Sequence, residues 1–220
     1  MSTTIDTSKI SPVTQNPNRV LLENISWQTY EALVKELEAK PGIRLNYDRG
    51  LLEIMTPLPP HESNKKLIGR LIEAATEELN IEIRSLGSLT CKREDLARGL
   101  EPDQCYYIQN ELIVRGKDKI DFNQDPPPDL AIEIDITSSS LNRMEIYAVL
   151  GITEVWRYDG KSLKVYWLES ERYHEYEFSP TLPQLPPAEI LRFLQLAKTM
   201  GETSWIRLFR QWVKSQIRQS

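Results

Sequence analysis

The sequence predicts a mixed α+β fold of the α/β kind, in which a central mixed β-sheet is flanked by helices. Three observations predict it: apolar residues recur at helical spacing in several separate stretches, short alternating runs lie between them, and no segment repeats another.

Along the chain, Ser26 is placed to cap a helix on which Trp27, Tyr30, Leu33, Val34 and Leu37 recur until Pro41-Gly42 stops it. "IRLNYDRGLLEIM" reads as two strands joined by a turn at Asp48-Arg49-Gly50. Beyond "TPLPP" a helix carries Ile68, Leu71, Ile72, Ala75 and Leu79 on one stripe, with His61 and Glu62 just before its first turns. Short strands are expected near Ile81–Ser85 and Thr90–Arg93, and "GLEPDQCYYI" reads as a turn into a strand from Asp103. "VRGKDKIDFNQDPPP" is a polar connection. A strand over Leu130–Ile136 follows, then a helix from about Ser139 to Leu150 that Gly151 ends. Strands near Glu154–Tyr158, Leu163–Leu168 and Tyr173–Phe178 form an antiparallel meander. Pro186-Pro187 opens a helix through Leu196, and Gly201 separates it from a last helix holding Trp205, Leu208, Phe209 and Trp212.

The chain has 220 residues, 40% hydrophobic and 27% charged, enough apolar material for one ordinary core. Residues 1–19 are polar and read as a disordered tail, 20–200 as the folded domain, and 201–220 as a C-terminal helix packed on or extending from it. A net charge of -5 excludes a global positive field, so any nucleic-acid contact has to come from a local patch. Two cysteines, Cys91 and Cys105, make neither a disulfide framework nor a C-x-x-C site. No stretch reaches the roughly 18 apolar residues a membrane helix needs. A cytoplasmic protein is expected.

"PDLAIEIDI" alternates strictly. Leu130, Ile132, Ile134 and Ile136 fall on one face, and Asp129, Glu133 and Asp135 on the other. Two carboxylates about 7 Å apart along a strand repel unless they are solvated or bound to a cation. Two readings stand: an ordinary half-exposed strand, or one wall of a metal site. A second acidic position bears on the choice. Asp103 follows Pro102 at the mouth of another strand, with Glu101 beside it, and proline stiffens that entry. If the two strands are neighbours, Asp103 and Glu133 can share one hard, oxygen-ligated cation.

Pro102-Asp103, a gap of about 30 residues, and Glu133 in an apolar strand resemble the PD-(D/E)XK restriction-endonuclease-like superfamily. "RLNYDRGLLEIMTPLPPHE", "EPDQCYYI" and "PPPDLAIEIDITSSSLNRMEIYAVLGITEVWRYDG" look like one branch of it, the Uma-two family of restriction endonucleases, abundant in cyanobacteria. The resemblance spans roughly residues 18 to 190 and implies a restriction-endonuclease-like core. It implies a metal-dependent endonuclease that hydrolyses phosphodiester bonds in DNA with Mg²⁺ or Mn²⁺, acting as a homodimer. It makes Asp103 and Glu133 the metal carboxylates and Glu62 an additional acid on an early helix. Where the superfamily pattern has lysine, two residues after the glutamate, this chain has Asp135. The basic residue is displaced to the next helix, as Arg143, with Tyr147 four residues on and on the same face. Arginine stays charged and cannot accept a proton, so its expected work is to stabilise phosphate charge. The other reading for Arg143 is a surface ion pair with Glu145 or Asp135. Asp135, His61, Glu101 and Tyr147 are expected around the metal residues.

Two competing functions stay open. One is a catalytically inactive nuclease-fold protein that binds nucleic acid or a protein partner, which the arginine and the acidic net charge both favour. The other is a structural domain whose carboxylates face solvent. His61 and His174 are the only histidines, which excludes a multi-histidine zinc site, and no glycine-rich phosphate loop is present. Ser138, Ser139 and Ser140 read as helix caps. Arg207, Arg210, Lys214 and Arg218 form a basic stripe on the last helix, either solvated or facing phosphates.

Overall fold

The computed structural model describes residues 18–37, 42–135 and 141–218. The architecture is α+β, but its strands divide into two sheets where the sequence suggested one. The first sheet comprises β1 (Arg19–Leu22), β2 (Arg44–Asp48), β3 (Leu51–Met55), β5 (Cys91–Arg93) and β6 (Arg98–Leu100). It is antiparallel, in the order β1-β3-β2-β6-β5. The second comprises β4 (Arg84–Gly87), β7 (Gln104–Tyr107), β8 (Leu130–Ile134), β9 (Glu154–Tyr158), β10 (Leu163–Glu169) and β11 (Arg172–Tyr176). Its order is β11-β10-β9-β8-β7-β4, mixed because β8 and β9 alone run parallel. The helices are α1 (Trp27–Leu37), α2 (Pro59–Leu79), α3 (Glu111–Val114), α4 (Arg143–Leu150), α5 (Pro187–Leu196) and α6 (Glu202–Ile217). The first sheet escapes a sequence reading because β1 and β6 are very short, and Arg98-Gly99 breaks any apolar alternation.

Local rules account for the element ends. Ser26 Oγ accepts the Thr29 amide at 3.2 Å and caps α1. Arg49 and Gly50 both have positive φ (45° and 95°), the two-residue primed turn that a right-twisted β2–β3 hairpin prefers. Asn80 ends α2 in the left-handed region, which pushes the next strand to Arg84–Gly87 instead of Ile81–Ser85. α4 begins at Arg143 and not near Ser139, with the Asn142 side chain accepting the Glu145 amide. Ile136 and Ser138–Ser140 lie outside the described residues, as does the tail through residue 17.

Three apolar clusters hold the layers. Leu130, Ile132 and Ile134 of β8 pack with Trp156 under α2, α5 and α6, which supply Ile68, Leu71, Phe193, Trp205 and Phe209. On the opposite face Ala131 and Val155 meet Ile146, Tyr147 and Leu150 of α4, together with Cys91 and Leu100 of the first sheet. α4 is therefore the filling between the sheets. β8 is buried along its whole length, so the half-exposed-strand reading is overturned. Cys91 and Cys105 are buried free thiols. The third cluster stacks Tyr30 on Tyr47, ring centroids 4.8 Å apart, with Trp27 edge-on to Tyr47. Half of the basic stripe of α6 is used internally: Arg210 pairs with Glu77 and Glu78, and Lys214 with Glu78 at 3.2 Å, while Arg207 and Arg218 are exposed.

Two stability measurements test this packing. A Cβ on Gly99 would stand 2.7 Å from Tyr30 Cζ, inside a stacked aromatic cluster. Gly99→Ala is expected to cost about 1–3 kcal/mol in urea denaturation through overpacking. Asp159, in the β9–β10 turn, accepts the Ser162 and Lys161 amides, which lower its pKa from 3.8 to about 2. A depressed carboxyl stabilises above its unfolded value and loses that contribution as pH falls through the folded one. Asp159→Ala should therefore lower stability by roughly 1 kcal/mol near neutral pH, the size of a lost side-chain cap. Denaturation midpoints of the two proteins should converge as the pH is taken down toward about 2.

Candidate functional site

Antiparallel pairing of Gln104 with Ile132 and Cys105 with Ala131, continued one step, sets Asp103 across from Glu133. Alternation sends Glu133 to the same face as Ala131, between the sheets and toward α4. The two acids that the sequence separates by 30 positions are thus brought together. Asp103 is fully buried, and its Oδ2 accepts the Ile134 amide at 2.7 Å. His61, buried at the start of α2, sets Nε2 3.1 Å from the same oxygen, within ion-pair distance but off the line of a hydrogen bond. Asp103 Oδ1 accepts no hydrogen bond among the described residues. Burial alone would raise the Asp103 pKa. The imidazole of His61, the charge of Arg143 and the Ile134 amide together hold it below the usual carboxylate range.

Glu133 is 4% exposed and takes two donors on Oε1, Nη2 of Arg143 at 2.7 Å and the hydroxyl of Tyr147. Burial lifts its pKa well above the ordinary value. Arg143 opposes that rise, and the negative charges of Asp103 and Asp135 reinforce it. Arg143 Nη2 also donates to the carbonyl of Glu101 at 2.9 Å, so one guanidinium ties α4 to the β6–β7 connection and to β8. Burial disfavours its charge, but Glu133, Asp103, Glu53 and Asp135 around it raise its pKa. Two neighbouring carboxyls are thus driven in opposite directions, one locked as an anion and the other made more basic. Such divergence marks sites built for acid, base or ion-binding work.

Glu133 opens into a cleft of 240 Å³ at the N-terminal end of α4, lined also by Arg19, Ile134, Asp135, Asn142, Arg143 and Arg157. Each cleft arginine meets a carboxylate. Arg19 pairs with Glu53 at 3.0 Å, Arg143 with Glu133, and Arg157 with Asp135. Glu53 is fully buried and also accepts from Asn46 Nδ2 at 3.1 Å.

A family model described as "Putative restriction endonuclease", Uma2, matches residues 27–199. The chain belongs to the Uma2 family. Among solved structures it is similar to one titled as a "putative nuclease belonging to DUF820" from Anabaena variabilis ATCC 29413. That likeness has 16% identity over 74% of this chain and 90% of the other, with a TM-score of 0.46. No curated protein matches.

The residues expected from the Uma2 resemblance fall as follows. Asp103, Glu133, Arg143, Tyr147 and His61 converge in one buried cluster. Arg143 is a buried partner of Glu133; the alternative surface pairing is ruled out, since Glu145 is taken by Arg49 and Arg98, and Asp135 by Arg157. Glu62 stands apart: its Oε2 meets Lys65 at 3.2 Å, and its Oε1 lies 3.7 Å from Nδ1 of His61, so the imidazole separates it from Asp103. Glu101 contributes its carbonyl, while its carboxylate turns to Arg44 at 3.5 Å. Asp129 accepts the Ile108 and Asn110 amides and fixes a turn away from the cleft. His174 is exposed on β11.

Arg19, Glu53 and Arg157 escape the sequence reading. An acid inside the apolar run "LLEIM" was the signal for Glu53. Arg157 needed the parallel register, which pairs it with Glu133.

Breaking a buried ion pair leaves one charge without compensation. Arg143→Met is expected to cost about 3–5 kcal/mol. Adding Glu133→Gln to it should recover a substantial part, as read in a double-mutant cycle of denaturation free energies.

Proposed function

We propose that this protein is a divalent-metal-dependent endonuclease that hydrolyses phosphodiester bonds in DNA, with Asp103 and Glu133 as the metal carboxylates. The observation that carries this reading is the pairing of two buried acids across β7 and β8, with a fixed cation on one of them. The donor chemistry suits a hard ion. Asp103 Oδ1 is buried with no hydrogen-bond donor among the described residues, and the strand register makes Glu133 its cross-strand neighbour. No group of three or more His, Cys, Asp or Glu forms a cage among the described residues, so water and backbone would complete the shell. That suits Mg²⁺ or Mn²⁺, which keep water readily. When bound, such an ion lowers the pKa of a water and offsets charge building on a phosphate.

The chain's own residues divide the remaining work. The Ile134 amide and His61 hold Asp103 ionised. Arg143 keeps its proton and stabilises negative charge on the phosphate, which lysine in its neutral form would not do. Tyr147 orients Glu133. Glu62 acts at one remove through His61, and Asp135 acts by holding Arg157. The molecule works in the cytoplasm as a homodimer, which cutting both strands of a duplex favours. No helix of the described residues is long and apolar enough to cross a membrane.

A second reading has its own observation. Arg143 and Tyr147 already occupy Glu133 Oε1. A guanidinium in that position substitutes for a cation, as it would in a nuclease-fold protein that binds nucleic acid without cutting it.

Calorimetric titration with Mn²⁺ and Mg²⁺ separates the two. For the enzyme, one site is expected, lost in Asp103→Asn and Glu133→Gln, with plasmid cleavage lost in parallel. Arg143→Gln should retain metal binding and lower cleavage by about 10²-fold. Nucleic-acid binding with no divalent site would establish the silent version.

A further inference from the structure

We propose that Arg157, tethered by Asp135, binds a backbone phosphate of the nucleic acid. This deepens the nuclease reading and rests on it for the identity of the anion.

Asp135 lines the cleft with Glu133 and by itself would make it more negative. The parallel pairing of β8 with β9 sets Arg157 against Glu133, and Nη2 of Arg157 closes on Asp135 Oδ2. A cation thus reaches the Asp135 side of the cleft from the neighbouring strand.

Stability alone gives little reason for the pair. The Arg157 side chain is 37% exposed, and ion pairs open to solvent contribute at most about 1 kcal/mol. Its position carries the functional argument, because Arg157 and Asp135 both line the cleft onto which Glu133 opens. Guanidinium has five N–H donors in a rigid fork, and the tether to Asp135 engages Nη2. Holding the plane still reduces the entropy lost when an anion docks on the remaining donors.

Arg19 repeats the arrangement from the first sheet. It lines the same cleft, and Nη1 donates to Glu53 Oε1, which Asn46 fixes in turn. Three guanidinium groups from β1, α4 and β9 therefore line one cleft, each paired with a carboxylate. A cation on Asp103 and Glu133 would tip that balance toward an anion. Arg143 then serves the reacting phosphate, and Arg157 a neighbouring one.

The test is fluorescence anisotropy with labelled single-stranded and duplex oligonucleotides, in EDTA, over a range of salt. Arg157→Gln is expected to weaken binding several-fold and to reduce the slope of log K against log salt by about one unit. Arg157→Lys should keep the slope while losing part of the affinity. In the wild-type protein, phenylglyoxal labelling of Arg157, read by mass spectrometry, should fall when oligonucleotide is added. An unchanged slope in Arg157→Gln overturns the proposal, as does equal labelling with and without oligonucleotide. Absence of salt-dependent binding by the wild-type protein also overturns it. Calorimetry without nucleic acid reports on the metal reading separately. Metal binding with an unchanged slope removes only the phosphate contact, whereas a reduced slope with no metal site removes hydrolysis and leaves a binding cleft.

Discussion

Burying the Glu133 carboxyl between two sheets is the constraint around which the rest is arranged. A carboxylate taken out of water costs several kcal/mol unless charge and hydrogen bonds replace its hydration. Arg143 and Tyr147, four residues apart on α4, supply both from one helix face. That requirement fixes the rotation of α4 about its axis and its distance from β8. Because Arg143 also donates to the Glu101 carbonyl, the helix is tied at the same point to the connection between the sheets. The apolar side of α4 then has one way to pack, with Ile146 and Leu150 against Ala131 and Val155.

The acidic net charge and a polyanionic substrate conflict only if charge is counted without regard to place. Much of the negative charge tethers cations. Glu77 and Glu78 hold Arg210 and Lys214 on the far helix layer, and Asp48 and Glu145 hold Arg98. The four-residue spacing that suggested a phosphate-facing stripe on α6 instead docks that helix on α2. At the cleft the same pairing has the opposite use. There Asp135 holds the partly exposed guanidinium of Arg157 where an entering anion would meet it, while Glu53 and Glu133 hold Arg19 and Arg143 buried beside it. Local arrangement, and not the global field, decides what such a surface attracts.

What was legible in the sequence followed from short-range rules. Strict alternation gave β8 and its faces, the Gly151 stop and the meander came from local residue choice, and Pro102-Asp103 marked the entry to β7. The convergence of Asp103 and Glu133 followed once those strands were neighbours. What was hidden depends on pairings between distant segments. No local signal reports that β1 lies beside β3, which brings Arg19 to Glu53 across 34 positions. Nor does any report that β9 sets Arg157 against Glu133. Asp135 was offered Arg143 as an ion-pair partner because its actual partner, Arg157, lies 22 residues away, on a strand whose own pattern shows only packing. Glu62 was misleading for a related reason. Its neighbour His61 is the residue of that helix start that turns inward, while Glu62 turns to Lys65.

The arginine at 143 narrows the chemistry as well as the fold. A lysine there could lose its proton in a buried site and take one from water; arginine does not. On the proposed reading, proton acceptance in this cluster therefore falls to a carboxyl. Asp103 is poorly suited, since its surroundings hold it as a weak base. Asp135 is engaged with Arg157. Glu133 is the acid whose proton affinity burial raises, and it is also the one Arg143 restrains. Any motion of Arg143 toward an incoming phosphate would weaken that restraint and leave Glu133 more basic at the moment an anion arrives. On that reading, substrate charge and the ionisation of Glu133 would be coupled through one guanidinium, an arrangement that follows from having arginine, and not lysine, against the buried acid.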